Sequence, residues 1–486
     1  MLEIQKKLSK SFYALLSLPA TAMGFALSIQ ISALSWILST KYHLQIDEIG
    51  LVWAAGPIAG ILGQVIIGII SDKVWLWNGR RRPFIFIGGL LAALMLLALP
   101  NIDVISKSLG FSGILGVAIA VALTLDLAIN VSFNPTRSII ADVTPEGVER
   151  TKGYSWMQTI SGTFGVLAYV IGAVWNNYVL IYFGVFLVIA LSIIPTFFIE
   201  EPRELIDDNS DGEKGQDKTS FSEIVNSIQP LWGFLLYAVY AIIMRILHIE
   251  FKNYYVEIIC FAISFFFIFR VLFKSTEGKS KSAVGKIGFM RILAAHSFTW
   301  IGIQTMFVYM FTYVQYKVYN IVPGSAIPDS TQVEMGRIVS ISFLILNAVG
   351  AILPAFVLEP ITRKIGRVKT HAICIATMAI GYFGMLFLGF QPMAIYLIMA
   401  FLGIGWASTI SLPFAIMSQK VEQSKMGLYM GLFNLAVVLP QLVASFAVGQ
   451  AVAKAPDKSL IFIVSTITLA ISAFLWFLVK EDKENL

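Results

Sequence analysis

The sequence predicts an all-α membrane protein of fourteen transmembrane helices, arranged as two six-helix bundles with an extra central pair. Three observations lead there. Of 486 residues, 57% are apolar and 13% charged, where a water-soluble domain carries about 25% charge. Apolar blocks of about 20 residues, the length needed to cross a hydrocarbon core, recur from residue 19 to residue 479. Lys and Arg then concentrate in alternate loops, 25 of them against six, which places both termini in the cytoplasm.

The spans run in order at about 19–38, 49–71, 83–100, 111–139, 155–175, 178–199, 231–248, 255–273, 292–314, 337–358, 371–389, 393–417, 429–449 and 460–479. The first is preceded by Lys6, Lys7 and Lys10 and lacks a small-residue cleavage site, so it reads as a retained helix with a basic flank. The long polar stretch 200–230 is acidic and Gly-bearing, the composition of a flexible linker. The expected organisation is a first bundle over 1–199, the cytoplasmic linker 200–230, an inserted pair with its basic loop over 231–289, and a second bundle over 290–486. Arg245, His248, Glu257 and Arg270 interrupt the inserted pair, which reads as spanning, with a surface-lying hairpin as its alternative.

Composition also excludes functions. A net charge of +6 is accounted for by topology and needs no nucleic-acid partner. Cys260 and Cys374 both lie in apolar blocks, leaving no disulfide framework and no Cys-ligated metal site. No P-loop, nucleophile elbow or HExxH occurs, so neither ATP hydrolysis nor another enzymatic activity is expected, and no cofactor is implied.

The two halves repeat. SDKVWLWNGRRRP (71–83) and EPITRKIGRVK (359–369) each place an acid before basic residues around a Gly-Arg pair at the end of a helix hairpin. Asp72, Arg80, Arg81, Arg82, Glu359, Arg363 and Arg367 therefore read as a cytoplasmic gate whose contacts are made in one conformation and broken in another. Asp142, at the membrane edge of the fourth span, joins them as a cap or gate contact.

Asp126 stands in the middle of the fourth span among Leu, Ala, Ile and Val. A carboxylate at a helix centre costs about 2.5–3.5 kcal/mol on insertion scales. Removal from water favours a neutral carboxyl and a nearby cation favours a charged one, so such a group is suited to taking up and releasing a proton. Arg137 lies eleven residues on, about 20° from three whole turns, hence on the same face but about 16 Å away along the axis. Asn130 lies between them. The reading is a proton site at Asp126, with Asn130 and Arg137 on one polar path; the competing one is a buried salt bridge that only fixes helix packing.

Mid-span amides supply the second constellation: Gln30, Gln64, Gln304, Asn347, Asn434 and Gln441, with Asn130 joining them as a candidate sugar ligand. An amide both donates and accepts, matching a sugar hydroxyl, although singly it more often joins helices. Trp53, Trp300 and Trp406 are suited to stacking on a pyranose face or to packing in the core.

Parallel six-span repeats with a binding site between them characterise major facilitator transporters. The blocks PIAGILGQVIIGIISDKVWLWNGRRRPFI (57–85), LDLAINVSFNPTRSIIADV (125–143), SLPFA (411–415) and LFNLAVVLPQ (432–441) resemble the sucrose-proton symporters, within the glycoside-pentoside-hexuronide symporter relatives. The resemblance covers about 19–199 and 290–479 and implies a major facilitator fold, sugar transport and proton coupling through Asp126 and Arg137. It omits 231–273, and in 298–319 the charged pairs of the plant-type proteins are missing, Lys317 being the only charge. The expectation is a monomeric, proton-coupled importer of a disaccharide such as sucrose or maltose, or a related glycoside, in the cytoplasmic membrane. The runners-up are a sodium-coupled symporter, a sugar effluxer and, from a different class, a non-transporting membrane sensor.

Overall fold

The computed structural model describes residues 8–61, 74–111, 113–145, 148–202, 221–247, 249, 253–322, 325–421 and 426–481. Among them the regular structure is helical, the one β feature being an isolated bridge between Leu76 and Gly79. The principal helices are α1 (Lys10–Thr40), α2 (Ile46–Trp53), α3 (Arg82–Ala98), α4 (Leu115–Val143), α5 (Val148–Val174), α6 (Asn177–Phe198), α7 (Trp232–Ile246), α8 (Tyr255–Leu272), α9 (Lys281–Tyr313), α10 (Asp329–Leu353), α11 (Arg367–Leu388), α12 (Pro392–Ser418), α13 (Met426–Val443) and α14 (Leu460–Phe477).

Local chemistry starts several of them. Ser9 accepts the Phe12 N–H ahead of α1, Asn176 the Val179 N–H ahead of α6, and Ser280 the Ala283 N–H ahead of α9. Pro83 stands in the first turn of α3, where its missing N–H is no loss.

Eleven helices of the described residues are long and apolar enough to cross a membrane. Hydropathy alone predicts fourteen, and the difference has physical reasons. Part of the 49–71 block lies outside the described residues. The block at 231–248 becomes a helix of 15 residues, about 22 Å long against a core of about 30 Å. In α9 the apolar run is diluted by His296, Ser297, Thr299, Gln304 and Thr305, all buried inside the protein.

Two compact units divide the chain: Met1–Leu44, Leu51–Gln216 and Ala326–Leu344 form one, and Gln45–Gly50, Asp217–Ser325 and Ile345–Leu486 the other. In the first, α1 packs against α4, α5 and α6, and α3 against α4 and α6. Close approach there depends on small residues: a Cβ on Gly89 would fall 2.2 Å from the Ser192 hydroxyl of α6. The beginning of α10 belongs to this unit. Ser340 meets Ser32 Oγ at 2.8 Å and donates to Asn177 Oδ1 at 3.3 Å, and Trp36 Nε1 donates to the Gln332 carbonyl at 2.8 Å.

In the second unit, α9 and α14 are joined by hydroxyls. Ser465 Oγ donates to the Gly302 carbonyl and Ser472 Oγ to the Ala295 carbonyl, both at 2.9 Å, and Thr299 meets Ser472 at 2.6 Å. The inserted α7 and α8 pack on each other, α8 also on α9 and α7 on α13. Three π-helical turns occur among the described residues, at Val314–Val318, Pro354–Leu358 and Ala444–Val448. The third widens the end of α13 so that the Ala444 and Ser445 carbonyls share the Tyr309 hydroxyl, at 3.3 and 3.2 Å.

Outside the spans, Asp457 accepts the Ser459 N–H at 2.9 Å and pairs with Lys317 Nζ at 3.0 Å. The Ser459 N–H first, and Lys317 as well, hold its carboxyl below the ordinary value. A depressed carboxyl contributes stability above its unfolded value, near 4, and loses it as the pH falls through the folded value. Asp457→Asn should therefore lower the melting temperature slightly at pH 7 and flatten its decline between pH 5 and pH 3, as followed by thermal unfolding in detergent.

Candidate functional site

In the first unit, Asp126 is 5% exposed and Gln30 of α1 is 3% exposed. Gln30 Nε2 donates to Asp126 Oδ2 at 2.9 Å. Gly56 faces the carboxyl from the segment 55–61; a Cβ there would meet the two carboxylate oxygens at 3.4 and 3.5 Å. No cation lies within ion-pair distance of Asp126 among the described residues. The buried-salt-bridge reading therefore finds no partner there.

Gln30, expected among the sugar ligands, is thus placed on the carboxyl. Its amide can donate to a charged carboxylate and, turned over, accept from a neutral one. Asn130 instead turns its Nδ2 to the Asp126 backbone carbonyl at 2.8 Å. Arg137 is exposed and lies over the Phe133 ring, 5.2 Å from its centroid. Asp126 and Arg137 stand on the same helix, the first buried and the second exposed, with no ion pair between them.

The residues expected at the gate fall into two similar groups. Arg81 Nε pairs with Asp142 Oδ2 at 3.0 Å, with both side chains largely buried. The backbone N–H groups of Arg80, Arg81 and Arg82 all donate to the Glu201 carboxylate, at 2.8, 2.7 and 2.7 Å. The N–H groups of Arg81 and Arg82 are donors that the start of α3 leaves without helical partners, and a carboxylate there also meets the positive end of the helix dipole. In the second unit Glu481 accepts the Arg367 N–H at the start of α11. Gly366, at φ +92°, precedes it, and a Cβ on that residue would collide with the Glu481 carboxylate. Glu359 pairs with Arg363 at 2.5 Å on an exposed surface.

Glu201 and Glu481 were missed by sequence reasoning, the first because it lies at the edge of an acidic stretch. A signal existed: they come three and four residues after the last helix of their respective halves. Gln64 and Asp72 lie outside the described residues.

The second unit gathers most of the remaining amides and aromatics. Gln441 Nε2 donates to Gln304 Oε1 at 3.1 Å, and Trp406 Nε1 donates to Asn347 Oδ1 at 3.2 Å. Trp406 is met edge-on by Trp300 and Phe307, with ring centroids 6.3 and 5.3 Å away. Trp300 and Trp406 are half-buried, whereas Gln304 and Phe307 are buried. Among the described residues Asn434 makes no side-chain hydrogen bond, although it shares a helix with Gln441. Trp53 is separate, donating to Ser35 Oγ at 2.8 Å inside the first unit. Two half-buried indoles beside the amides of Asn347, Gln304 and Gln441 can accept a ring with apolar faces and a hydroxylated rim.

Known transporters align with the chain, some along most of it. Sucrose transport protein SUC4 of Arabidopsis thaliana is 23% identical over 498 residues, covering 92% of this chain and 85% of that protein. The general alpha-glucoside permease of Schizosaccharomyces pombe is 29% identical over 174 residues, covering 32% of this chain and 31% of that protein. Among solved structures, the xylose transporter XylE from E. coli, in an inward open conformation, superposes with a TM-score of 0.59 at 15% identity, covering 98% of this chain and 97% of that one. These relatives are membrane transporters and not enzymes. The family model of the Major Facilitator Superfamily matches residues 16–445, so this multi-pass membrane protein belongs to the Major Facilitator Superfamily.

Proposed function

We propose that the chain imports a disaccharide or related glycoside together with a proton, by alternating access, with both termini and residues 200–230 on the cytoplasmic side. The observation that carries the reading is Asp126: a carboxyl buried in a helix centre, held by an uncharged amide and with no cation beside it among the described residues. Such a group is neutralised by a proton rather than by a fixed countercharge. The substrate class is supported by the amide and indole cluster of the second unit and by relatives named for sucrose and alpha-glucosides. The orientation is supported by the uneven distribution of Lys and Arg.

Asp126 takes a proton from the outer side when the site is open there, and Gln30 turns its carbonyl to the new O–H. Neutralisation lowers the electrostatic barrier to the closed intermediate, and release to the cytoplasm restores the carboxylate. The test is uptake of labelled sucrose and maltose into vesicles, with and without an inward proton gradient. Accumulation that requires the gradient is expected; gradient-independent equilibration, or dependence on sodium alone, would overturn the coupling. Trp406→Ala is expected to raise KM at least about tenfold, a loss of about 1.4 kcal/mol, through removal of one stacking wall; an unchanged KM in the same uptake assay would remove Trp406 from the site.

A further inference from the structure

His296, Trp300 and Gln304 succeed one another at four-residue spacing on α9, so they share a face. The Trp300 indole N–H donates to His296 Nε2 at 2.9 Å. His296 is 2% exposed. Its ring is stacked on Phe433 at 4.6 Å with an interplanar angle of 18°, and Trp476 stands edge-on at 6.3 Å. Phe433 and Trp476 come from α13 and α14, so the imidazole is gripped by two other helices and its orientation is set.

A ring nitrogen that accepts a hydrogen bond carries no proton, which puts the proton of the neutral imidazole on Nδ1. Nδ1 is buried and has no hydrogen-bond partner among the described residues. A buried donor left unmet is unfavourable. Packing alone is served better by Leu or Phe in this apolar cage. What the imidazole supplies, and they do not, is an acceptor for Trp300.

Trp300 in turn stands edge-on to Trp406, and both are half-buried, as are Asn347 and Gln441, whereas His296, Gln304 and Phe307 are buried. We propose that His296 is a positioning residue for the sugar site. By taking up the indole N–H, it fixes the angle between the Trp300 and Trp406 rings and keeps that N–H from competing for sugar hydroxyls, which are left to the amides of Gln304, Asn347 and Gln441. His296 sets affinity without touching the substrate. The inference rests on the sugar-transport reading above.

The test joins transport kinetics to a direct view of the indole. His296→Leu should raise KM for the transported disaccharide about tenfold while leaving the maximal rate within about twofold. His296→Gln, which places an amide oxygen where Nε2 sits, should bring KM back to within about threefold of the wild type. In protein labelled with 15N-tryptophan, the Trp300 indole N–H resonance, assigned by its loss in Trp300→Phe, should move in His296→Leu and return towards its original position in His296→Gln. The double variant His296→Leu/Trp300→Phe should bind no worse than the weaker single variant. A resonance unmoved by His296→Leu, multiplying effects in the double variant, or a fall in maximal rate at constant KM would overturn the positioning role while wild-type uptake stays normal. No saturable disaccharide uptake by the wild type would overturn the transport reading, and this role with it.

Discussion

Asp126→Asn is expected to abolish accumulation of sugar against its gradient while leaving exchange of internal for external sugar. The substitution keeps the shape of the side chain and an oxygen that can still accept from Gln30 Nε2, which lies 2.9 Å from Asp126 Oδ2 in the native protein. It removes the group that changes charge. One proton moving through 100 mV supplies about 2.3 kcal/mol, enough for a concentration ratio of about 40-fold. Without it the steady-state ratio should fall to about one, with the protein still cycling because a neutral side chain carries no electrostatic barrier of its own. Vesicles with an imposed proton gradient measure the ratio, and counterflow in its absence measures exchange. Wild-type accumulation by this variant would refute proton coupling at Asp126; loss of counterflow as well would assign the residue to substrate binding or folding.

Glu201→Ala is expected to have the largest effect on stability. Three backbone N–H groups, of Arg80, Arg81 and Arg82, lose one shared charged acceptor. Charge-assisted hydrogen bonds contribute about 1.5–3 kcal/mol each, and the shared, partly exposed carboxylate brings the expected total to about 3–5 kcal/mol, since water replaces some of what is lost. Glu201→Gln keeps one acceptor oxygen and should fall between the two. Glu481→Ala, which removes the acceptor of the Arg367 N–H, should cost less. Thermal unfolding in detergent provides the check, with the order Ala below Gln below wild type at position 201. Equal melting temperatures for Glu201→Ala and the wild type would mean that the cap contributes nothing.

The spans were legible because hydropathy accumulates residue by residue along the chain, and Asp126 because one charge among apolar neighbours needs no partner to be noticed. Pairings were not legible. Gln30 and Asp126 are 96 residues apart, and only the packing of α1 on α4 brings them together. Gln304 and Gln441 read as separate candidate ligands, yet one amide is spent on the other across 137 residues. In the sequence His296 is a residue near a span end without metal-ligand spacing; its meaning comes from Trp300 one turn away and from two rings on distant helices. The shortness of α7 was hidden by an apolar block that runs on beyond the helix.

The wide turns at Pro354–Leu358 and Ala444–Val448, each followed by further helix at Glu359–Ile365 and Gly449–Lys454, have a practical consequence. A wide turn takes up one residue more than an ordinary one, so each offsets the angular phase of the downstream residues by about 100°. A cysteine-accessibility scan read on a single helical wheel would go out of step at each of them. Side chains assigned to one face from upstream positions would be found about 100° away from it. Removing one residue from Ala444–Val448 would bring the wheel back into step and turn Gly449–Lys454 towards the wrong neighbours.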